Sequence, residues 1–185
     1  MIQDTLKSAQ EQMDRTIDAT REDFASVRTG RANPGLYSKV MVDYYGAMTP
    51  LQQLASFTTT DARTLLITPF DVSALRNIEK ALSESEVGAN PSNDGKVIRV
   101  VMPELTEERR KEYVKLVKSK AEEHKVSVRN ARRKAKEAMD KAVKDGEVGE
   151  DEGARGEKEL DAMTKKHTDT IEDMAKKKEA ELLEV

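Results

Sequence analysis

Three long stretches of the chain carry apolar residues at spacings of three and four, the pattern of a helix with one buried face. They span residues 2–27, 106–144 and roughly 150–183. Their apolar members are, in chain order, Ile2, Leu6, Ala9, Met13, Ile17, Thr20, Phe24 and Val27; Val117, Ala121, His124, Val128, Ala131, Ala135, Ala138 and Ala142; and Leu160, Met163, His167, Ile171, Met174 and Leu182.

The ends of these stretches carry residues typical of helix termini. Gly30 can adopt the left-handed conformation that ends a helix, and Pro34 prevents the helix from resuming. Thr106 is the predicted N-cap of the second helix, while Gly153 and Gly156 weaken the first turns of the third. Because none of these helices would bury its apolar face alone, the three together predict an antiparallel bundle.

The residues between the first two stretches, about 31–104, follow a different pattern. Branched apolar residues predict strands at 64–68 and 96–101. An extended run is expected over 37–45, and a weaker strand within 51–60. This region therefore contains strands instead of a fourth long helix.

A short helix is predicted between two of these strands. Asp71 or Ser73 would cap it, and residues 90–95 form a turn by composition. The inner face of the helix would be Leu75, Ile78, Ala81 and Leu82.

The predicted fold class is α+β, with a small β/α/β domain inserted into a three-helix bundle. Residues 1–30 and 105–185 would form the bundle, and 31–104 the inserted domain. The chain crosses between them twice, beside glycine and proline, which suggests a hinge. The expected hinge residues are Gly30, Asn33, Pro34, Met102, Pro103 and Leu105.

Composition restricts the classes of function. The chain has 185 residues, 36% of them charged, and a net charge of −3. It has no cysteine, which excludes a disulfide framework and a thiolate nucleophile. No stretch approaches the ~20 apolar residues of a membrane span, and the beginning of the chain lacks a basic-then-apolar signal sequence. A cytoplasmic location without a membrane partner is expected.

The residues do not suggest catalysis. His124 and His167 both lie on apolar faces, where packing in the bundle core is favoured over a metal site because no cysteine or close carboxylates accompany them. The segment 30–35 lacks the Gly-Lys-Ser/Thr ending of a P-loop, and 93–95 is only a fragment of a calcium loop. We therefore expect no enzymatic activity, no metal, no cofactor and no small-molecule substrate.

A row of basic residues on the second helix is the main candidate site. Lys125, Arg129, Arg132 and Lys136 fall within a narrow arc, about a quarter-turn from the apolar face, with Arg133 beside it. One interpretation is a solvated face paired with acids such as Asp23 or Glu22 of the first helix. The other is RNA binding, because arginine suits phosphate and base edges and the scarcity of aromatic residues favours folded RNA.

Arg28 and Arg31 add positive charge at the end of the first helix. The sequence leaves open whether they join the row on the second helix or form a separate patch near the hinge.

The chain resembles the ribosome recycling factor family of bacterial type from end to end. The order of several short motifs over the whole length makes the resemblance specific. These motifs are Val27-Arg28-Thr29-Gly30-Arg31-Ala32 with Pro34, Tyr44-Tyr45-Gly46 with Thr49-Pro50, Gln53-Leu54-Ala55-Ser56, Leu105-Thr106-Glu107-Glu108-Arg109-Arg110, and Val128-Arg129-Asn130 with Arg132-Arg133.

The resemblance implies an L-shaped molecule that looks like transfer RNA and binds the post-termination ribosome at the large subunit. With elongation factor G and GTP hydrolysis by that factor, it would separate the subunits and release messenger RNA, after which initiation factor three keeps the subunits apart. Arg132 would be the first contact with large-subunit ribosomal RNA, supported by Arg129 and Arg133, with Arg28 and Arg31 as secondary contacts. Elongation factor G would engage the small domain, the hinge would let that domain swing, and the protein would be a monomer.

Two rival interpretations remain. A coiled-coil adaptor would need exposed apolar residues outside the three apolar faces, and none is expected on the second helix. An enzyme is disfavoured for the reasons given above.

Overall fold

The computed structural model describes residues 1–85 and 90–184. The described chain forms two compact units. The helical unit comprises Met1–Phe24 and Val114–Glu181, and the mixed unit comprises Ala25–Tyr113 and the chain from Leu182 onward. The α+β fold class is confirmed, with a helical bundle and a small β domain. The domain division at 30/31 and 104/105 stays a prediction.

The helical unit is built from three long helices: α1 (Ile2–Ala25), α3 (Glu107–Lys144) and α4 (Glu150–Leu183). The last residue of α1, the first residues of α3 up to Tyr113 and the end of α4 from Leu182 belong to the mixed unit. A short helix of the mixed unit, Leu75–Glu84, is α2. On α3, Lys136 and Lys125 pair with Glu157 and Glu172 of α4, so α3 and α4 run antiparallel.

The buried face of α3 differs at one place from the prediction. Ala138 is exposed, and Met139 is buried instead. The reason lies on α4, where a Cβ on Gly156 would lie 3.1 Å from Met139 Sδ and 2.8 Å from Ile2 Cγ2. The missing side chain of Gly156 makes room for Met139, so this glycine permits close packing as well as lowering helix propensity.

The connection between α3 and α4 is a glycine-terminated turn. Gly146 has φ +74, its N–H donates to Val143 O at 3.1 Å, and the N–H of Glu147 donates to Ala142 O at 2.9 Å. This pair of hydrogen bonds is a Schellman motif, which needs a left-handed residue at this position. At the other end of α3, Thr106 Oγ1 accepts a hydrogen bond from the N–H of Arg109 at 3.1 Å, which confirms the predicted N-cap.

Helix α1 ends at Ala25, two residues before the predicted end. Asn33 Nδ2 donates to Ala25 O at 3.5 Å, and a Cβ on Gly35 would lie 2.8 Å from Ala25 Cβ. The returning chain therefore packs against the end of the helix. Gly30 has φ +83, which confirms its left-handed conformation, but it lies beyond the helix end.

The mixed unit contains six strands: β1 (Met41–Tyr44), β2 (Ala47–Pro50), β3 (Ala55–Thr59), β4 (Thr64–Pro69), β5 (Pro91–Asn93) and β6 (Ile98–Val101). Strands β1 and β2 form a hairpin, and the others form an antiparallel sheet in the order β3-β4-β6-β5. Helix α2 buries Leu75, Ile78 and Leu82 in the core of this unit, as predicted, while Ala81 is half-buried. Asp71 caps the 3₁₀ turn Val72–Ala74 before α2, since its side chain accepts from the N–H of Ser73.

Two predictions in this unit are wrong in part. The extended run predicted over 37–45 is a strand only at Met41–Tyr44, because Pro34–Tyr37 forms a 3₁₀ turn. The turn predicted over 90–95 contains the strand Pro91–Asn93, which lies at the edge of the sheet. Proline is tolerated as the first residue of an edge strand because its missing N–H faces away from the partner.

Candidate nucleic-acid interface

The basic row lies on α3 in the helical unit, beside the buried face formed by residues such as Val128 and Ala135. Arg129 and Arg133 are exposed, while Lys125, Arg132 and Lys136 are half-buried. The structure therefore brings the three arginines predicted on this helix onto one surface.

Acidic residues of α4 run beside part of this row. Arg132 directs Nε and Nη2 at Asp161 Oδ1, each at 2.7 Å. Lys125 pairs with Glu172, and Lys136 Nζ lies 3.7 Å from Glu157 Oε1. The interpretation of the row as a face paired with acids fits these three contacts, but the carboxylates come from α4 and not from the first helix.

Two further acids lie on α3 itself. Lys125 Nζ is 3.3 Å from Glu122 Oε1, and Lys136 Nζ is 2.8 Å from Asp140 Oδ2. Their spacings of three and four residues place each pair on one side of the helix. The two lysines of the row are therefore neutralised from both sides.

These contacts shift the pKa values of the paired side chains. The hydrogen bond from Lys125 holds the pKa of the Glu172 carboxyl below its ordinary value. The hydrogen bond to Glu172 raises the pKa of Lys125 in turn, and the hydrogen bond to Asp140 raises that of Lys136. Both lysines remain charged but are engaged within the protein.

Arg129 and Arg133 differ from these lysines. In the described part of the chain, neither has an ion-pair or hydrogen-bond partner. The pairs 132/161 and 136/157 define a register in which Arg129 faces position 164 of α4. That position is a threonine whose hydroxyl donates to Leu160 O at 2.8 Å, so no carboxylate stands opposite Arg129.

The ion pair of Arg132 leaves much of its guanidinium group available. Its side chain is 31% exposed, and that of Asp161 is 53% exposed. Both bonded nitrogens of Arg132 approach one carboxylate oxygen, so three of its five N–H groups remain for another ligand. An ion pair exposed to this degree contributes about 0–1 kcal/mol, which several phosphate contacts can exceed.

Arg28 and Arg31 belong to the mixed unit, whereas the arginines of the row belong to the helical unit. Arg28 Nη2 donates to Pro103 O at 3.1 Å, and its buried Nε has no hydrogen-bond partner among the described residues. Arg31 is exposed and its Nη2 lies 2.9 Å from Glu184 Oε2. Arg28 thus holds the backbone of the predicted hinge segment.

The predicted hinge residues all lie in the mixed unit. A Cβ on Gly30 would lie 3.8 Å from Leu105, and Met102 is fully buried. Arg63, which the sequence did not single out, donates Nε to Met102 O at 2.8 Å, and its own carbonyl accepts from the N–H of Met102 at 2.7 Å. Arg63 and Arg28 therefore donate hydrogen bonds to the successive backbone carbonyls of Met102 and Pro103, in the segment that leads into α3.

Both histidines reach aspartates of α1. His124 Nε2 lies 2.7 Å from Asp23 Oδ2, and His167 Nε2 lies 2.7 Å from Asp14 Oδ1. The described residues contain no group of three or more His, Cys, Asp or Glu that could hold a metal ion. Each histidine links two helices at the border of the core.

Two large apolar residues that are exposed on α3 correct the expectation that there would be none. Leu116 and Val126 are exposed, but ten positions separate them, which corresponds to about 15 Å along a helix. They do not form one apolar stripe of the kind a coiled-coil adaptor needs. No helix in the described ranges 1–85 and 90–184 is long and apolar enough to cross a membrane.

Comparison with known families and proteins gives consistent results. The family model described as ribosome recycling factor matches residues 20–183. The ribosome-recycling factor of Micrococcus luteus is 89% identical over 185 residues, and that of Arthrobacter sp. (strain FB24) is 71% identical, each match covering 100% of both chains.

Two solved structures are similar to the whole chain. A solution structure of the ribosome recycling factor has a TM-score of 0.79 and 36% identity, covering 100% of this chain and 98% of the other. Models for the T. thermophilus ribosome recycling factor and the E. coli elongation factor G bound to the E. coli post-termination complex give a TM-score of 0.72, 39% identity and 100% coverage of both chains.

Proposed function

Because this chain belongs to the ribosome recycling factor family, we propose that it binds the post-termination ribosome and promotes its recycling. With elongation factor G and GTP hydrolysis by that factor, it promotes dissociation of the subunits and release from messenger RNA for new rounds of translation. The chain performs no catalysis itself, and it acts in the cytoplasm as a monomer.

The observation that carries this proposal is the pair of unneutralised arginines on α3. Arg129 and Arg133 are exposed and have no partner among the described residues, and Arg132 between them retains free N–H groups. Guanidinium groups bind phosphates with charge-assisted hydrogen bonds in a bidentate geometry. We propose large-subunit ribosomal RNA as their ligand.

Arg28 and Arg31 are proposed as secondary contacts. Arg31 is the better placed of the two for RNA, because it is exposed and its ion pair with Glu184 is a surface pair. Arg28 is partly buried and bonded to Pro103 O, so its contribution to RNA binding depends on N–H groups that this bond leaves free.

The inserted domain, 31–104, is proposed as the part engaged by elongation factor G. Residues Gly30, Asn33, Pro34, Met102, Pro103 and Leu105 would form the hinge about which it swings while the bundle stays on the ribosome. A chemical cross-link between the two domains should then preserve ribosome binding and abolish subunit splitting. Full splitting by the cross-linked protein would exclude the swing.

The experiment that tests the function is subunit splitting of post-termination ribosomes, measured by light scattering with four additions. These are the chain alone, elongation factor G with GTP alone, both together, and both together with a non-hydrolysable GTP analogue. The proposal expects splitting only when the chain, the factor and GTP are all present. Splitting by the chain alone, or none with the complete mixture, would overturn it.

A salt series gives an independent test of RNA binding. Neutralising several phosphates makes the logarithm of the association constant fall linearly with the logarithm of salt concentration, with a slope of roughly −0.7 to −0.9 per phosphate. Cosedimentation with large subunits should therefore weaken steeply between about 50 and 200 mM salt. A salt-independent interaction would indicate apolar docking to a protein partner.

A further inference from the structure

His167 lies between two hydrogen-bond acceptors where α4 packs against α1. Its Nδ1 is 2.7 Å from the backbone oxygen of Met163, one turn earlier in α4, and its Nε2 is 2.7 Å from Asp14 Oδ1 of α1. The side chain of His167 is only 8% exposed, so water has little access to the ring. The protein therefore supplies the hydrogen-bond partner of each ring nitrogen.

Neither of these partners can donate a hydrogen bond to the ring. A backbone carbonyl oxygen carries lone pairs and no hydrogen. The Asp14 side chain is 58% exposed, so water solvates its carboxylate, which acts only as an acceptor. A neutral imidazole has one N–H and would direct a bare lone pair at one of the two oxygens. The imidazolium form, with an N–H on each nitrogen, makes both hydrogen bonds.

The charges of α1 near this contact are mostly negative. Glu11 and Asp18 lie three and four residues from Asp14, one turn away in either direction, on the same side of the helix. Asp18 pairs with Arg21 at 3.0 Å, and Arg15, which follows Asp14 in the chain, is exposed. The carboxylates on this side of α1 therefore favour a positive charge on the ring.

The positions of α4 and α3 that lie level with the ring are uncharged. In α3, the register of the pairs 132/161 and 125/172 places the buried Val128 level with His167. The cations Lys166 and Arg129, which adjoin these two residues in the chain, are exposed. The positions of α4 one turn from His167 are Met163, Thr164, Thr170 and Ile171.

The second histidine of the chain provides an internal comparison. His124 Nε2 lies 2.7 Å from Asp23 Oδ2, whereas its Nδ1 forms no hydrogen bond within the part of the chain that the structure describes. A neutral ring with its proton on Nε2 satisfies this arrangement. The two histidines therefore differ in the number of acceptors they meet, although each contacts an aspartate of α1.

We propose that the folded protein holds His167 as an imidazolium, and that this proton makes the attachment of α1 to α4 dependent on pH. Folding takes up the proton, because an unfolded histidine is mostly neutral above about pH 6.5. The stabilisation is fully present below that pH and is lost as the pH rises and the folded ring gives up its second proton. The bundle is then held together more tightly in mild acid than in mild alkali.

Nitrogen-15 NMR of the histidine rings in the full-length chain tests the protonation directly. The variants His124→Gln and His167→Gln assign the two ring signals. At pH 7.5 a free histidine is about one-tenth protonated, whereas more than half of the His167 rings should carry a proton on both nitrogens. The shifts of these two nitrogens should then be nearly equal. A ring with one bare nitrogen in most molecules at this pH would overturn the proposal.

Urea unfolding at pH 6 and pH 8 tests the consequence for stability. Asp14→Asn keeps an oxygen acceptor but removes the charge that favours the imidazolium. Its destabilising effect, expressed as the ratio of unfolding constants to the wild type, should be at least fivefold larger at pH 6 than at pH 8.

Asp140→Asn is the matched control, because Asp140 is similarly exposed, at 64%, and its partner Lys136 does not titrate in this range. Its effect on the unfolding constant should be the same at both pH values. An effect of Asp14→Asn that is likewise independent of pH would show that the contact with His167 acts without a bound proton, which would overturn the proposal.

Discussion

Arg132 of α3 and Asp161 of α4 meet through two nitrogens and one oxygen, each contact measuring 2.7 Å. The arginine that ranks first among the predicted RNA contacts is thus already oriented by an intramolecular partner. About half of the Asp161 side chain is exposed, so breaking this ion pair costs little free energy. The pair can therefore orient the guanidinium group and still leave it free to bind another ligand. The pair is compatible with RNA binding and predicts how mutations on each side should act.

Replacing Arg132 by alanine should weaken ribosome binding by about 1.5–3 kcal/mol, the range for hydrogen bonds to charged groups. The helical circular dichroism signal should not change, because the side chain is exposed in part and its ion pair contributes little. Quantitative cosedimentation with large subunits measures the effect. An unchanged affinity would remove Arg132 from the interface.

The Asp161→Asn variant should act in the opposite direction. It retains the size of the side chain and one oxygen acceptor but removes the charge that competes with phosphate. Ribosome affinity at low salt should rise by a factor of about two to five, equivalent to about 1 kcal/mol or less. If binding instead weakened as much as in Arg132→Ala, the ion pair would be a required part of the bound state.

Arg129→Ala should reduce ribosome affinity. The substitution breaks no ion pair within the protein, because no carboxylate binds this side chain in the described structure. The salt slope should become shallower by about 0.7 to 0.9, as expected for one lost phosphate contact. Arg155→Ala is the matched control, since Arg155 is an exposed arginine of the same unit on α4. Equal effects of the two variants would indicate a response to net charge alone.

The elements of the helical unit could be predicted because helix periodicity is a local property. Helix α4 was predicted at roughly 150–183 and observed at Glu150–Leu183. The end of α1 was not predictable to the residue, because Asn33 and Gly35 terminate it by tertiary contacts with Ala25. The burial of Met139 in place of Ala138 likewise depends on Gly156 of another helix.

The candidate site could likewise be predicted only where it depends on a single helix. The basic arc on α3 follows from the periodicity of one helix, but its acidic partners depend on the register between two helices. One signal was nevertheless present in the sequence. Glu157, Asp161 and Glu172 are separated by four and eleven residues, which places them on one face of a helix. The basic residues they meet are separated by four and seven residues, which likewise places them on one face of α3.

The close approach of α3 and α4 at Gly153 makes a prediction about stability. A Cβ on Gly153 would lie 2.6 Å from Val143 Cγ2 and 4.0 Å from Val143 Cβ. Replacing glycine by alanine inside a helix normally stabilises it by up to about 1 kcal/mol, but overpacking of this kind costs about 1–3 kcal/mol. Gly153→Ala should therefore lower the free energy of unfolding in the wild-type background.

The same substitution should change sign when Val143 is alanine, because the clashing methyl group is then absent. Denaturant unfolding of Gly153→Ala, Val143→Ala and the double variant forms a double-mutant cycle that measures this coupling. The double variant should be more stable than Val143→Ala alone. Additive effects would show that the helices separate to admit the new methyl group.

Tyr37 provides a pH-dependent test of the core of the mixed unit. This residue is buried, its hydroxyl lies 3.7 Å from Met102 Sδ, and burial raises its pKa to about 12. In the unfolded chain the phenol ionises near pH 10, so the folded state binds the proton more tightly. The resulting stabilisation is fully present below about pH 10 and is lost as the pH rises toward 12.

Tyr37→Phe removes this proton linkage. The variant should match the wild type in urea unfolding at pH 8 to within about 1 kcal/mol, the value of a weak hydrogen bond. Between pH 10 and 12 the wild type should lose up to about 2.7 kcal/mol more than the variant, since two pKa units correspond to that energy. Parallel loss of stability in both proteins would mean that Tyr37 ionises in the folded state and that the packing around Met102 admits water.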